Sequence, residues 1–81
     1  MRYEVIFASY AEELRDSLPL GAKQALAGKV RSLAQDPTED ATYSRKTDRW
    51  TSYFGDWGVI EYTVHSAVVR VVVLRITWTG S

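Results

Sequence analysis

The chain has 81 residues, 46% of them hydrophobic, and its ten Lys and Arg balance ten Asp and Glu. This is enough apolar material for a single core, hence one domain over residues 1–81, and it excludes a disordered, charge-dominated chain. Zero formal charge excludes long-range attraction to a polyanion, so any nucleic-acid contact needs a local patch; with no cysteine and only His65, neither a metal site nor a cofactor is expected.

Residues 2–8 alternate Tyr3, Val5 and Phe7 against Arg2, Glu4 and Ile6, which predicts a strand. Ser9 and Glu12 stand at capping-box spacing, and Tyr10, Leu14 and Leu18 follow at the helical period, so a short helix with Tyr10 in its core stripe is expected. After the Pro19/Gly21 break, Ala22, Leu26, Val30 and Leu33 resume that period as far as Asp36-Pro37, completing a helical hairpin. The polar stretch 37–48 has no period and reads as a surface loop. Three strands follow at about 50–54, 57–64 and 67–77, turning at Gly55-Asp56 and His65-Ser66. The order βααβββ predicts an α+β domain, a helical hairpin packed on a small, mainly antiparallel twisted sheet.

In the last strand Val69, Val71 and Val73 point one way, and Val68, Val72, Leu74, Ile76 and Trp78 the other. Two helices cover one sheet face, so Val72, Leu74, Ile76 and Trp78 are expected to form an apolar partner-binding face, through which the isolated chain would self-associate. Membrane is not a candidate partner: Ala67 to Leu74, the longest apolar run, is interrupted by Arg70 and is far shorter than the ~20 residues that cross a bilayer. The N-terminal stretch has no apolar leader core, and a cytoplasmic location is expected.

Arg45, Lys46 and Arg49 form the one basic concentration, which reads either as a phosphate-facing patch or as a solvated loop. Arg75 lies on an apolar strand, where a guanidinium must reach the sheet end or pair with a carboxylate such as Glu61. His65 is expected at a turn with no group to orient it as a base. Trp50 and Trp57 read as packing residues, while Trp78 lies near the end of the last strand, where it could stack on a base.

The opening "RYEVIFASYAEELRDSLP", the "SLAQDP" closing the second helix, and "W-x3-F-G-D-W-x-V-I" followed by "VVVLRI" resemble the RelE/ParE superfamily of toxins from bacterial type II toxin–antitoxin systems. The resemblance runs from residue 2 to about 77. It implies a cognate antitoxin as partner, in a toxin–antitoxin hetero-oligomer or beside a homo-dimer. RelE-like members cut mRNA at the ribosome, the ribose 2′-hydroxyl attacking the adjacent phosphate while cations stabilise the phosphorane; ParE-like members act on DNA gyrase. Residue by residue, Arg75 matches the arginine of the "VLR" motif, whereas Gly58, Thr51 and Tyr53 stand where basic residues are usual, and Thr77, Trp78 and Thr79 replace the usual C-terminal basic and tyrosine set. The resemblance therefore leaves three functional readings. The first is a ribosome-dependent endoribonuclease with Arg75, Arg49 and Tyr53 at the reaction centre and Arg45, Lys46, Arg49 and Trp78 holding RNA. The second is a gyrase binder without catalysis, and the third a degenerate member that only binds its antitoxin.

Overall fold

The computed structural model describes residues 2–79. Its elements are β1 (Glu4–Phe7), α1 (Ser9–Ser17), α2 (Leu20–Gln35), β2 (Thr42–Ser44), β3 (Arg49–Tyr53), β4 (Gly58–His65) and β5 (Arg70–Trp78), with a 3-10 turn at Ser66–Val68. The α+β class and the helical hairpin stand as expected. One short strand, β2, lies within the stretch read as a loop.

Proline sets the helix boundaries. Pro19 disfavours the helical region for Leu18, which is extended at φ −67°, ψ 150°, and α2 starts directly beyond it. Pro37 acts likewise on Asp36, extended at φ −149°, ψ 96°. The predicted capping box does not form: Ala8 occupies the N-cap without a side-chain bond, and Ser9 is already helical. Tyr10 is 66% exposed rather than core, because Ala11, Leu14 and Leu18 carry the packed stripe of α1.

The five strands run in the order β1-β5-β4-β3-β2. β1 and β5 are parallel, with Val5 opposite Val71, and the other pairs are antiparallel. Ala11, Leu18, Ala22, Leu26 and Leu33 of the helices pack on Val71, Val73, Ile76, Ile60, Tyr62 and Phe54, so the core lies on one side of the sheet. Tyr62 is fully buried, and its hydroxyl donates to the Pro37 carbonyl at 2.6 Å, tying the exit of α2 to the central strand. The predicted turn at His65-Ser66 is the 3-10 turn, ended by Val69 in the left-handed region at φ 53°.

A bulge in β5 overturns the expected apolar second face. Glu61 faces Arg75 and Tyr62 faces Val73, which leaves Leu74 without an opposite residue. An extra residue in one strand inverts the side-chain alternation beyond it. Ile76 therefore joins Val71 and Val73 in the core at 3% exposure, instead of lying beside Val72. Trp78, in register with Gly58 and two residues past Ile76, follows it to the helix side. Val72, Leu74, Ile76 and Trp78 do not share a face, and the predicted partner-binding patch is split across the sheet.

Candidate functional site

The helix-free face of the sheet is built by the residues that alternate with the core. β3 contributes Arg49, Thr51 and Tyr53; β4 contributes Val59, Glu61, Thr63 and His65; β5 contributes Arg70, Val72, Arg75 and Thr77; β1 adds Glu4 and Ile6. This face is mixed and largely polar, with two kinds of arginine on it. Arg70 donates from Nε to Glu4 Oε1 at 3.0 Å, a closed, hydrogen-bonded ion pair at one end. Near the middle, an Arg49 terminal nitrogen lies 3.9 Å from Glu61 Oε1, too far for a hydrogen bond, and Arg75 stands across from Glu61 on the neighbouring strand.

The bulge is what brings Arg75 here. With regular alternation from Val73, Arg75 would point to the helix side; the extra residue at Leu74 turns it outward, opposite Glu61. Tyr53, 69% exposed, stands at the far end of β3 from Arg49, beside Val59. It forms one wall of a cavity of about 320 Å³, completed by Gly55, Asp56, Gly58, Val59 and Thr79. Arg49, Tyr53 and Arg75, proposed from the sequence as the reaction centre, thus share one face.

Arg45 and Lys46 lie in the turn 45–48 between β2 and β3, exposed at the sheet end next to Arg49. That turn is held by Asp48, which takes a left-handed conformation at φ 55° and accepts the Tyr43 hydroxyl at 2.5 Å. The bond to Asp48 pushes the Tyr43 hydroxyl above its ordinary pKa. Tyr43 in turn packs on Trp50, ring centres 5.0 Å apart. Trp78 does not join this group, because its register partner Gly58 and its alternation with Thr77 put it on the opposite side. His65 lies at the end of β4 facing Arg70, its Nε2 2.8 Å from the Thr63 hydroxyl.

Gly58 explains why the resemblance's arginine is missing. A Cβ built there would lie 2.0 Å from the Thr77 carbonyl oxygen and 3.0 Å from Trp78 Cα, so on this backbone the position accepts no side chain. Trp57 beside it packs against Gly21 of α2, where even a methyl group would meet the indole at 2.9 Å. Among the described residues no group of three or more His, Cys, Asp or Glu could hold a metal ion, and no helix is long and apolar enough to cross a membrane.

No protein-family profile and no curated protein matches the chain. Solved structures do. The RelBE2 toxin–antitoxin complex of Mycobacterium tuberculosis superposes with a TM-score of 0.88 at 18% identity, over 98% of this chain and 100% of that one. The RelE–RelB complex of the archaeon Pyrococcus horikoshii gives 0.80 at 17%, over 99% and 98%. The isolated E. coli RelE toxin gives 0.81 at 17%, over 98% and 86%. The chain has the RelE fold. Within the RelE fold, Glu61 is the residue of the open face that sequence reasoning undervalued. Its signal was a lone carboxylate in "GVIEYTV", legible as a partner for Arg75 but not for Arg49, which is 12 positions away and meets it only through the pairing of β3 with β4.

Proposed function

We propose that this protein is the toxin of a bacterial type II toxin–antitoxin pair, held by a cognate antitoxin in a hetero-oligomer, and that its open sheet face cleaves mRNA at the ribosome. The observation that supports the reading is that Arg49, Arg75 and Tyr53 all lie on the helix-free face of a RelE fold. In this reading the ribose 2′-oxygen bonds to phosphorus, the bond from phosphorus to the 5′-oxygen breaks, and the 2′-proton leaves through water while the departing oxygen takes one up. Arg49 and Arg75 hold the charge that builds on the phosphorane, the kind of fixed cationic stabilisation that dominates such reactions. Tyr53 offers a stacking surface, worth ~1–3 kcal/mol per base without demanding a base identity. Arg45 and Lys46 guide the backbone in from the sheet end.

A second reading is favoured by a specific observation. Thr51, Tyr53 and Gly58 occupy the places where the resemblance expects cations, and Gly58 has no room for one. A protein that inhibits DNA gyrase by binding needs no such set. Inducing the chain in bacteria and following amino-acid incorporation and DNA synthesis at early times separates the two. Translation falling first, with new mRNA ends and with toxicity lost in Arg75→Gln and in the triple reversal of Arg45, Lys46 and Arg49 to Glu, is the expected result, and His65→Ala is nearly silent. DNA synthesis failing first would replace the ribonuclease by the gyrase reading; growth unaffected by induction would leave only an antitoxin binder.

A further inference from the structure

We propose that Glu61 is a built-in competitor for phosphate, a carboxylate that occupies the Arg49–Arg75 clamp in the free protein and keeps its affinity for free RNA low. The inference rests on reading the open face as the RNA-facing side. Glu61 sits on the central strand β4 with its side chain 28% exposed, an Arg49 terminal nitrogen at 3.9 Å and Arg75 directly across the strand pair. Residues so opposed have Cβ atoms about 4.5–5.5 Å apart, which puts the long Arg75 side chain within reach of the same carboxylate. Arg49 pairs with this carboxylate, while Arg75 makes no ion pair within 4.0 Å among the described residues and lies one side-chain swing away, so two guanidiniums flank one anion and the cluster keeps one uncompensated positive charge.

The contrast with Arg70 shows that this is not simply how arginines are neutralised on the sheet. Arg70 and Glu4 are joined one to one by a 3.0 Å hydrogen bond, whereas Glu61 makes no hydrogen bond with Arg49 and is held by charge alone. A carboxylate and the two free oxygens of a phosphodiester present the same pair of acceptors to a guanidinium, so they compete for the same donors. An incoming phosphate must displace Glu61 and then sit beside its negative charge. A substrate held in place by further contacts tolerates that repulsion. Free single-stranded RNA, with only the exposed Arg45 and Lys46 to add to its hold on a protein of zero formal charge, does so poorly. The carboxylate thereby makes the clamp selective for RNA that is presented to it.

The experiment is the binding of a short fluorescent oligouridylate, followed by anisotropy at low and at physiological salt. Glu61→Gln keeps the shape and removes the charge. It is expected to tighten binding by up to about fivefold at low salt, the range of a surface ion pair released, and to steepen the salt dependence, since Arg49 becomes free to displace counterions beside Arg75. Glu61→Ala should move binding in the same direction. Adding Arg49→Gln or Arg75→Gln to Glu61→Gln should abolish the gain. Equal or weaker binding by both Glu61 variants, folded by circular dichroism, would overturn the proposal and make Glu61 a support for Arg49. A gain that survives both arginine substitutions would overturn it too, by placing the RNA elsewhere. Because no ribosome is present, the result is independent of the toxicity assay: a Glu61→Gln gain without mRNA cleavage removes the ribonuclease reading alone, and cleavage without the gain removes only the competitor.

Discussion

Replacing Gly58 by alanine should unfold much of the hairpin that carries Tyr53, and the cost follows from the geometry. The added Cβ would lie 2.0 Å from the Thr77 carbonyl oxygen, where an ordinary contact needs roughly 3.5 Å. The obstacle is the backbone of β5, which no rotamer change can move, so β4 and β5 must separate by roughly 1 Å or more. Overpacking of this kind costs ~1–3 kcal/mol. Two bonds beside it lengthen as well, Phe54 N–H to the Gly58 carbonyl at 3.1 Å and Thr79 N–H to the Trp57 carbonyl at 2.8 Å, each worth a net ~0.5–1.5 kcal/mol. The total of ~2–6 kcal/mol corresponds to a fall in Tm on the order of 10–45 °C for a domain of this size. Thermal melting by circular dichroism, with tryptophan fluorescence in urea as a second probe, measures it. Gly58→Arg should lose at least as much, so installing the arginine that the resemblance expects would weaken the fold and not improve the site. A Gly58→Ala protein melting within about 4 °C of the wild type would show that the strand pair can yield and would refute the reasoning.

Tyr62→Phe leaves the Pro37 carbonyl without its donor in a buried place and should cost ~1–3 kcal/mol, read from urea midpoints. Burial, with the charge of Asp36 adding to it, pushes the Tyr62 hydroxyl up to about 12, against ~10 in the unfolded chain. A raised pKa on this group means that its stabilisation is complete below the unfolded value and is lost as pH rises through the folded one. Wild-type stability should therefore decline by ~3 kcal/mol between about pH 10 and 12, and the Phe variant should lack that part of the decline; parallel pH curves for the two proteins would contradict it. Ile76→Ala should cost ~2–5 kcal/mol as a core truncation, and Leu74→Ala, on the half-buried bulge, clearly less. Equal losses at the two positions would mean that the alternation of β5 is not inverted.

Much of this protein is written locally in its chain. The strand at Tyr3, Val5 and Phe7 and the long helix through Ala22, Leu26 and Leu33 follow from apolar spacing, and the ends of both helices from Pro19 and Pro37, which act on the residue just before them. The Gly55-Asp56 corner is equally local, since Gly55 takes a left-handed φ of 66° that glycine adopts at no steric cost. Tyr10 was misplaced because spacing alone does not say which side of a nine-residue helix meets the sheet. β2 escaped notice because Thr42–Ser44 is a strand only by virtue of its pairing with β3.

The site depended most on what the chain does not encode locally. A valine-rich strand carries no mark of where an extra residue will be accommodated, because a bulge is a property of two paired strands and of the core they share. Tertiary packing placed it at Leu74, and that one residue decided two things about the candidate site: Ile76 went into the core, and Arg75 turned outward onto the face that carries Glu61 and Arg49. The sequence by itself determined the two helices and every strand except β2, and that any cations binding a polyanion had to act as a local cluster, since the net charge is zero. Which cations form that cluster, and that a carboxylate stands among them, was decided by strand register, for a shift of one residue moves every side chain beyond it to the other face.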